Sequence, residues 1–178
     1  MLLLIGTIAA AMAAPLSVGA GYYGDFVSHP GGYLNASWQV AEAGNFSARI
    51  GGELGAYHHK RNHTGAFARG HMGLRATGDS GLFFEPRFVL GYVHTWVDGD
   101  EYWVVDEDTL ELRGKYEGGS PNLGYGMGLG FGWDPKGDDQ GLTWLMRAEA
   151  TGRAPYNGFA LNQFALLAGV EWTPGGGR

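Results

Sequence analysis

From residue 16 to residue 172 the chain alternates apolar with small, polar or charged residues in eight successive stretches, and the charges keep to one side of the alternation. A period of two puts neighbouring side chains on opposite faces of a strand, so each stretch reads as a strand with one apolar and one polar face. The stretches are 16–26, 33–42, 46–57, 65–77, 82–97, 123–133, 142–153 and 159–172. In the first, Leu16, Val18, Ala20 and Tyr22 oppose Ser17, Gly19, Gly21 and Tyr23. In the sixth, Leu123, Tyr125, Met127, Leu129, Phe131 and Trp133 alternate with five glycines.

The placement of charge selects the architecture. Five acids, Asp25, Glu53, Glu85, Glu149 and Glu171, fall on the polar face. So do six bases, Arg49, Arg69, Arg75, Arg87, Arg147 and Arg153, while Glu42 at a strand end breaks the rule. A soluble lipocalin-like barrel reverses this pattern: it would put Arg49, Arg87 and Arg147 in water and bury Leu54, Leu90 and Met146. A continuous apolar face opposite a nearly charge-balanced one is the pattern of a transmembrane β-barrel. The stretches are long enough, since a tilted crossing needs about 9–11 residues. The expected fold is therefore all-β: an eight-stranded antiparallel transmembrane up-and-down barrel, apolar outside and charged inside.

Composition removes other classes. Glycine is 33 of 178 residues, proline only 7 and cysteine 0. With 44% hydrophobic residues this excludes collagen, a disordered tail and a disulfide scaffold. A net charge of −6 lacks the basic balance of a nucleic-acid-binding domain. Residues 1–14 carry an apolar run and then Ala11-Met12-Ala13, a small-residue cleavage pattern. They are too short to span a membrane as a helix. The expected organisation is a signal peptide at 1–14, a barrel at 15–172 and a flexible tail at 173–178.

The short links, 43–45, 78–81 and 134–141, alternate with links at 27–32, 58–64, 98–122 and 154–158. Turn-forming residues such as Gly78-Asp79 and Pro135–Asp138 occupy the former. Aromatics gather near the strand ends: Phe46, Phe84, Trp133, Trp144 and Trp172 on one side, Phe26, Tyr92, Trp96, Tyr156 and Phe159 on the other. Two such bands fit the two headgroup levels of a bilayer.

Taken together, residues 15–172 resemble the small outer-membrane β-barrel proteins, the OmpA/OmpX type in the broad sense. The closing strand, Phe164 to Trp172, looks like the assembly signal such proteins present, although six more residues follow it here. The resemblance implies a bacterial outer membrane, with lipid bilayer and lipopolysaccharide as surroundings, short turns in the periplasm and the longer loops outside.

An eight-stranded interior is just wide enough for side chains. Eleven inward charges are expected to pair and fill the lumen, because an unpaired buried charge costs several kcal/mol. The glycines of the sixth stretch are expected to lie beneath bulky neighbours such as Tyr23, Phe67, Arg69 or Arg147. The run His58-His59-Lys60-Arg61-Asn62-His63 reads as a solvated loop whose cations meet lipopolysaccharide phosphates; without Cys or a nearby acid it makes no metal site. No cofactor is implied. In the long link, Tyr102, Trp103, Asp106, Glu107 and Asp108 form an acidic, aromatic surface suited to a protein partner. His94 is the one histidine placed for lipid A chemistry, but it has lipid-facing parity and no serine at i±2. A non-enzymatic structural or surface-binding barrel is the leading expectation. A narrow conducting or ligand-binding lumen, a subunit of a larger complex or filament, and a lipid A-modifying enzyme are the alternatives.

Overall fold

The computed structural model describes residues 16–26, 29–60, 62–98, 101–106, 109–113, 119–136, 141–156 and 159–174; for 101–106, 109–113, 155–156 and 159–161 only the backbone is described. The expected signal peptide and most of the expected tail lie outside the described residues. The strands are β1 (Leu16–Asp25), β2 (His29–Ala43), β3 (Phe46–His59), β4 (His63–Thr77), β5 (Leu82–Val97), β6 (Glu101–Asp106), β7 (Thr109–Arg113), β8 (Ser120–Trp133), β9 (Gly141–Tyr156) and β10 (Phe159–Thr173). Eight close into a barrel in the order β1-β10-β9-β8-β5-β4-β3-β2, and β6-β7 form a separate hairpin within the longest link. Every neighbouring pair is antiparallel, and β1 pairs with β10 from Val18↔Trp172 to Asp25↔Ala165, which leaves no sheet edge. One rim holds the links 44–45, 78–81 and 134–140 and the chain ends of the barrel (the terminal rim). The other holds 26–28, 60–62, 98–119 and 157–158 (the loop rim).

Parity decides inside from outside, as the alternation requires. Leu34 is 63% exposed and Met127 71%, whereas Arg75 is 1% and Glu149 0%. The strands run further toward the loop rim than the alternation does. β2 begins at His29 rather than Tyr33, because Pro30, Gly31 and Gly32 pair with Gly24, Tyr23 and Tyr22. Glycine carries no side chain to display the period, so pairing continues where the pattern goes silent. β3 and β4 also extend, until His59 pairs with His63, and the expected solvated link at 58–64 contracts to 60–62. The links expected at 27–32 and 154–158 also shorten, to 26–28 and 157–158.

A bulge accounts for Glu42. The β2–β3 register shifts between Gln39 and Ala41, so Glu42 pairs with Ser47, which is buried on the inner face. One inserted residue reverses the parity that follows it. Glu42 therefore joins the polar side at the terminal rim, where Gln39 Nε2 donates to its Oε2 at 2.8 Å.

Inside the barrel, several inward rows alternate bulk with glycine around the wall. One row across the strands reads Tyr23–Gly31–Tyr57–Gly65, the next Gly21–Tyr33–Gly55–Phe67, and a third Arg49–Gly73–Arg87–Gly128–Glu149. Each glycine receives the side chain beside it. A Cβ on Gly55 would lie 2.3 Å from Phe67 Cζ, on Gly65 2.3 Å from Tyr57 Cζ, and on Gly132 2.3 Å from Phe83 Cζ. The glycine count is the space into which an eight-stranded barrel folds its aromatic and arginine side chains. At the terminal rim one glycine is fixed by conformation as well. Gly81 has φ +77°, its carbonyl accepts from Asp134 N–H at 2.8 Å, and Asp134 Oδ1 accepts from Lys136 N–H at 3.0 Å.

Candidate functional site

Nine of the eleven inward charges form one connected layer. Glu53 sits at its centre, with Arg69 Nε at 2.8 Å, Arg87 at 2.9 Å and Arg147 at 3.2 Å. Arg69 continues to Glu149 at 2.6 Å, and Arg147 to Glu171 at 2.9 Å. Glu171 is also approached by Arg75 at 3.2 Å and Arg49 at 3.4 Å, and Arg75 reaches Glu85 at 2.8 Å. All nine side chains are buried. Arg49 also donates to Ser17 and Ser37, and Asn35 Nδ2 donates to Glu171 at 2.9 Å. The layer thus ties β1, β2, β3, β4, β5, β9 and β10 together. β8 supplies only glycine at these levels, and its neighbours fill the gap: Glu149 and Arg87 over Gly128, Arg147 beside Gly130.

Asp25 and Arg153 stand apart from that layer, toward the loop rim. Arg153 donates to Thr95 Oγ1 at 2.9 Å and to the Tyr57 hydroxyl. Asp25 accepts from Gln163 Nε2 at 3.4 Å. Between the two levels lies an aromatic layer that reading charges alone overlooks. Tyr23 meets Phe67 at 4.9 Å and Tyr57 at 5.6 Å between ring centroids, and Arg69 lies 4.6 Å above the Phe67 ring. Its signal was the shared parity of Tyr23, Tyr33, Tyr57 and Phe67 with the inward charges. Of the bulky residues expected above the glycine face, Arg147 lies beside Gly130, while Tyr23, Phe67 and Arg69 border Gly124 across a cavity of about 20 Å³. That volume holds about one water molecule.

On the outer surface, Phe46, Phe84, Trp133, Trp144 and Trp172 are exposed toward the terminal rim, and Phe26 and Tyr92 toward the loop rim. Trp96 is half-buried beside His94, with ring centroids 4.4 Å apart. The side chains of Tyr156 and Phe159 lie outside the described residues, as do those of Tyr102, Trp103 and Asp106, and Glu107 and Asp108 altogether. His94 keeps its outward parity, and its Nδ1 lies 2.6 Å from the Tyr92 hydroxyl.

The histidines at the loop rim differ most from expectation. His59 and His63 are strand residues, half-buried and turned inward, and His29 of β2 stacks on His59 with centroids 3.5 Å apart. An acid does stand near them: His29 Nδ1 is 3.8 Å from Asp25 Oδ2. Sequence alone does not bring these groups together, because Asp25 is far along the chain from His59 and His63 and the alternation stops short of His29. Among the described residues, no group of three or more His, Cys, Asp or Glu is arranged to hold a metal ion.

No protein-family model and no curated protein matches the chain. Solved structures do. Neisserial surface protein A matches with a TM-score of 0.58 at 10% identity, covering 89% of this chain and 95% of that one. The N-terminal β-barrel domain of Pseudomonas aeruginosa OprF matches with a TM-score of 0.48 at 13% identity, covering 90% and 97%. The attachment invasion locus protein Ail of Yersinia pestis matches with a TM-score of 0.45 at 12% identity, covering 89% and 99%. The charge-filled interior, the apolar exterior and the closed eight-strand meander give this chain the fold of the small eight-stranded outer-membrane β-barrels.

Proposed function

We propose that the chain is a non-enzymatic barrel of a bacterial outer membrane, with its loop rim outside and its terminal rim in the periplasm. It holds external loops at the surface, where they meet lipopolysaccharide and a protein partner. The observation that carries this reading is the exterior. Leu34, Leu54, Leu90, Met127, Leu129 and Met146 are all exposed in one band around a barrel whose charges are inside. Water is a poor solvent for such a band and hydrocarbon a good one. The Arg–Glu layer favours a scaffold over a pore, because a path for ions would have to pass through paired guanidinium and carboxylate groups. Lys60, exposed in the turn between β3 and β4, is the described cation placed for lipopolysaccharide phosphate. The segment containing Tyr102, Trp103, Asp106, Glu107 and Asp108 is the surface we assign to the protein partner. Among the described residues, the partners of His94 are Tyr92 and Trp96, which ranks lipid A chemistry below the scaffold reading.

Planar-bilayer recording tests the closed lumen. The full chain, inserted from detergent, should give no discrete conductance steps at neutral pH. Regular steps of one size, abolished when the chain is omitted, would replace the scaffold reading with a conducting barrel.

A further inference from the structure

Inward rows such as Tyr23–Gly31–Tyr57–Gly65 alternate bulk with glycine, but the topmost row on β1 to β4 does not. Asp25 pairs with His29, His29 stacks on His59, and His59 pairs with His63. Four full-size side chains therefore stand side by side on four neighbouring strands. The His29 and His59 rings are 21° from parallel, and His59 and His63 are 5.3 Å apart. His63 also meets Tyr57 edge-on at 5.7 Å, with its Nε2 3.4 Å from the hydroxyl. The row thus lies directly over the Tyr23–Tyr57–Phe67 layer and the one-water cavity.

Stacking at 3.5 Å suits neutral imidazoles and not two imidazolium ions, which repel at that distance. With the imidazoles protonated, the charges around the row are unbalanced toward positive. Asp25 on β1 is the carboxylate within the row, and Asp98, whose N–H donates to Asn62 O at 2.8 Å, follows the Val97 that pairs with His63. Against these stand His29 on β2, His58 and His59 on β3, His63 on β4 and the permanent charge of Arg153 on β9. β10 contributes the neutral Gln163.

We propose that this row is an acid-sensitive cap: it covers the β1–β4 side of the outer mouth of the barrel while His63 is neutral, and protonation of His63 parts the row and uncovers the Tyr23–Tyr57–Phe67 layer. Burial, then the charge of Arg153 and the neighbouring histidines, holds His63 down to about 4. A base whose value is lowered on closure stabilises the closed row fully above about 6.5, the value it has in water, and loses that contribution as the pH falls toward 4. Arginine does not titrate in this range, so the guanidiniums of the layer below the cap keep their charge. Acid opens a mouth, not a path through the barrel.

Hydrogen exchange of the full chain in phospholipid vesicles tests this. After correction for intrinsic rates, amides of residues 29–33 and 57–65 should lose protection on the order of thirtyfold between about pH 7.5 and about pH 5. Amides beside Glu53 and Arg147 should not. His63→Gln should flatten most of that loss, and His59→Lys should leave the row unprotected already at pH 7.5. Protection at 29–33 and 57–65 that is unchanged with pH in the unaltered chain overturns the proposal. So does a full thirtyfold loss retained by a folded His63→Gln. The wild-type comparison of the two sets of amides decides the matter even where a variant fails to fold.

Discussion

Replacing Glu53 by leucine should lower barrel stability by about 3–5 kcal/mol. The carboxylate is shared by Arg69, Arg87 and Arg147 at 2.8, 2.9 and 3.2 Å, and all four groups are buried. Removing it leaves three guanidiniums with less negative charge in a space closed to water, and the cost is that of the uncompensated charges rather than of one lost contact. Urea unfolding in lipid vesicles, followed by the mobility difference between unboiled and boiled samples, measures it. The expected result is a large fall in the midpoint, or no folded band. Glu42→Ala is the matched control: the same residue type on the same polar side, but exposed at the terminal rim, where about 0.5 kcal/mol or less is expected. Equal midpoints for Glu53→Leu and the unaltered chain would mean that the layer does not hold the barrel together.

The second large effect is steric. Gly55→Leu should destabilise by about 3 kcal/mol, at the upper end for overpacking. A Cβ at that position falls 2.3 Å from Phe67 Cζ and 2.8 Å from Gly32 O, so neither the ring nor the backbone leaves room for it. Phe67 cannot simply swing away, because Tyr23 packs on one side of it and the Arg69 guanidinium over its face. Adding Phe67→Ala should restore part of the loss, since it vacates the volume the new side chain needs. Gly32→Ala should be nearly silent, because Gly32 faces outward and its nearest neighbour is 3.7 Å away. If Gly55→Leu and Gly32→Ala behaved alike, the pairing of each inward glycine with a bulky neighbour would not be what fills the lumen. The same unfolding assay separates these outcomes.

How far the sequence could be read follows from what each kind of information is local to. Parity is local. Glu53 and Arg147 sit on the face opposite Leu54 and Met146 whatever their partners, and that was enough to turn the barrel inside out before any pairing was known. Partnership is not local. That Arg147 meets both Glu53 and Glu171 depends on registers accumulated across β10, β9 and the closure to β1, and alternation fixes a register only to within two residues. The bulge at Val40 is invisible to periodicity, so Glu42 looked like an exception instead of a residue past a shift. Strand ends were lost where glycine replaces the side chains that carry the period, at Gly31 and Gly32. The histidine row was hidden for both reasons. His29 belonged to an end the pattern could not see, and its neighbours Asp25, His59 and His63 come from three other strands.

The most direct measurement is the behaviour of the purified chain with and without detergent, read together with its mobility before and after boiling. An inside-out barrel should stay dispersed only in detergent or lipid, and should run differently unboiled because the strands remain closed. A monodisperse, detergent-free protein would contradict this account. The band of Leu34, Leu54, Leu90 and Met127 would then have to be covered by something other than a bilayer, and the outward-apolar, inward-charged arrangement would need a different reason to exist.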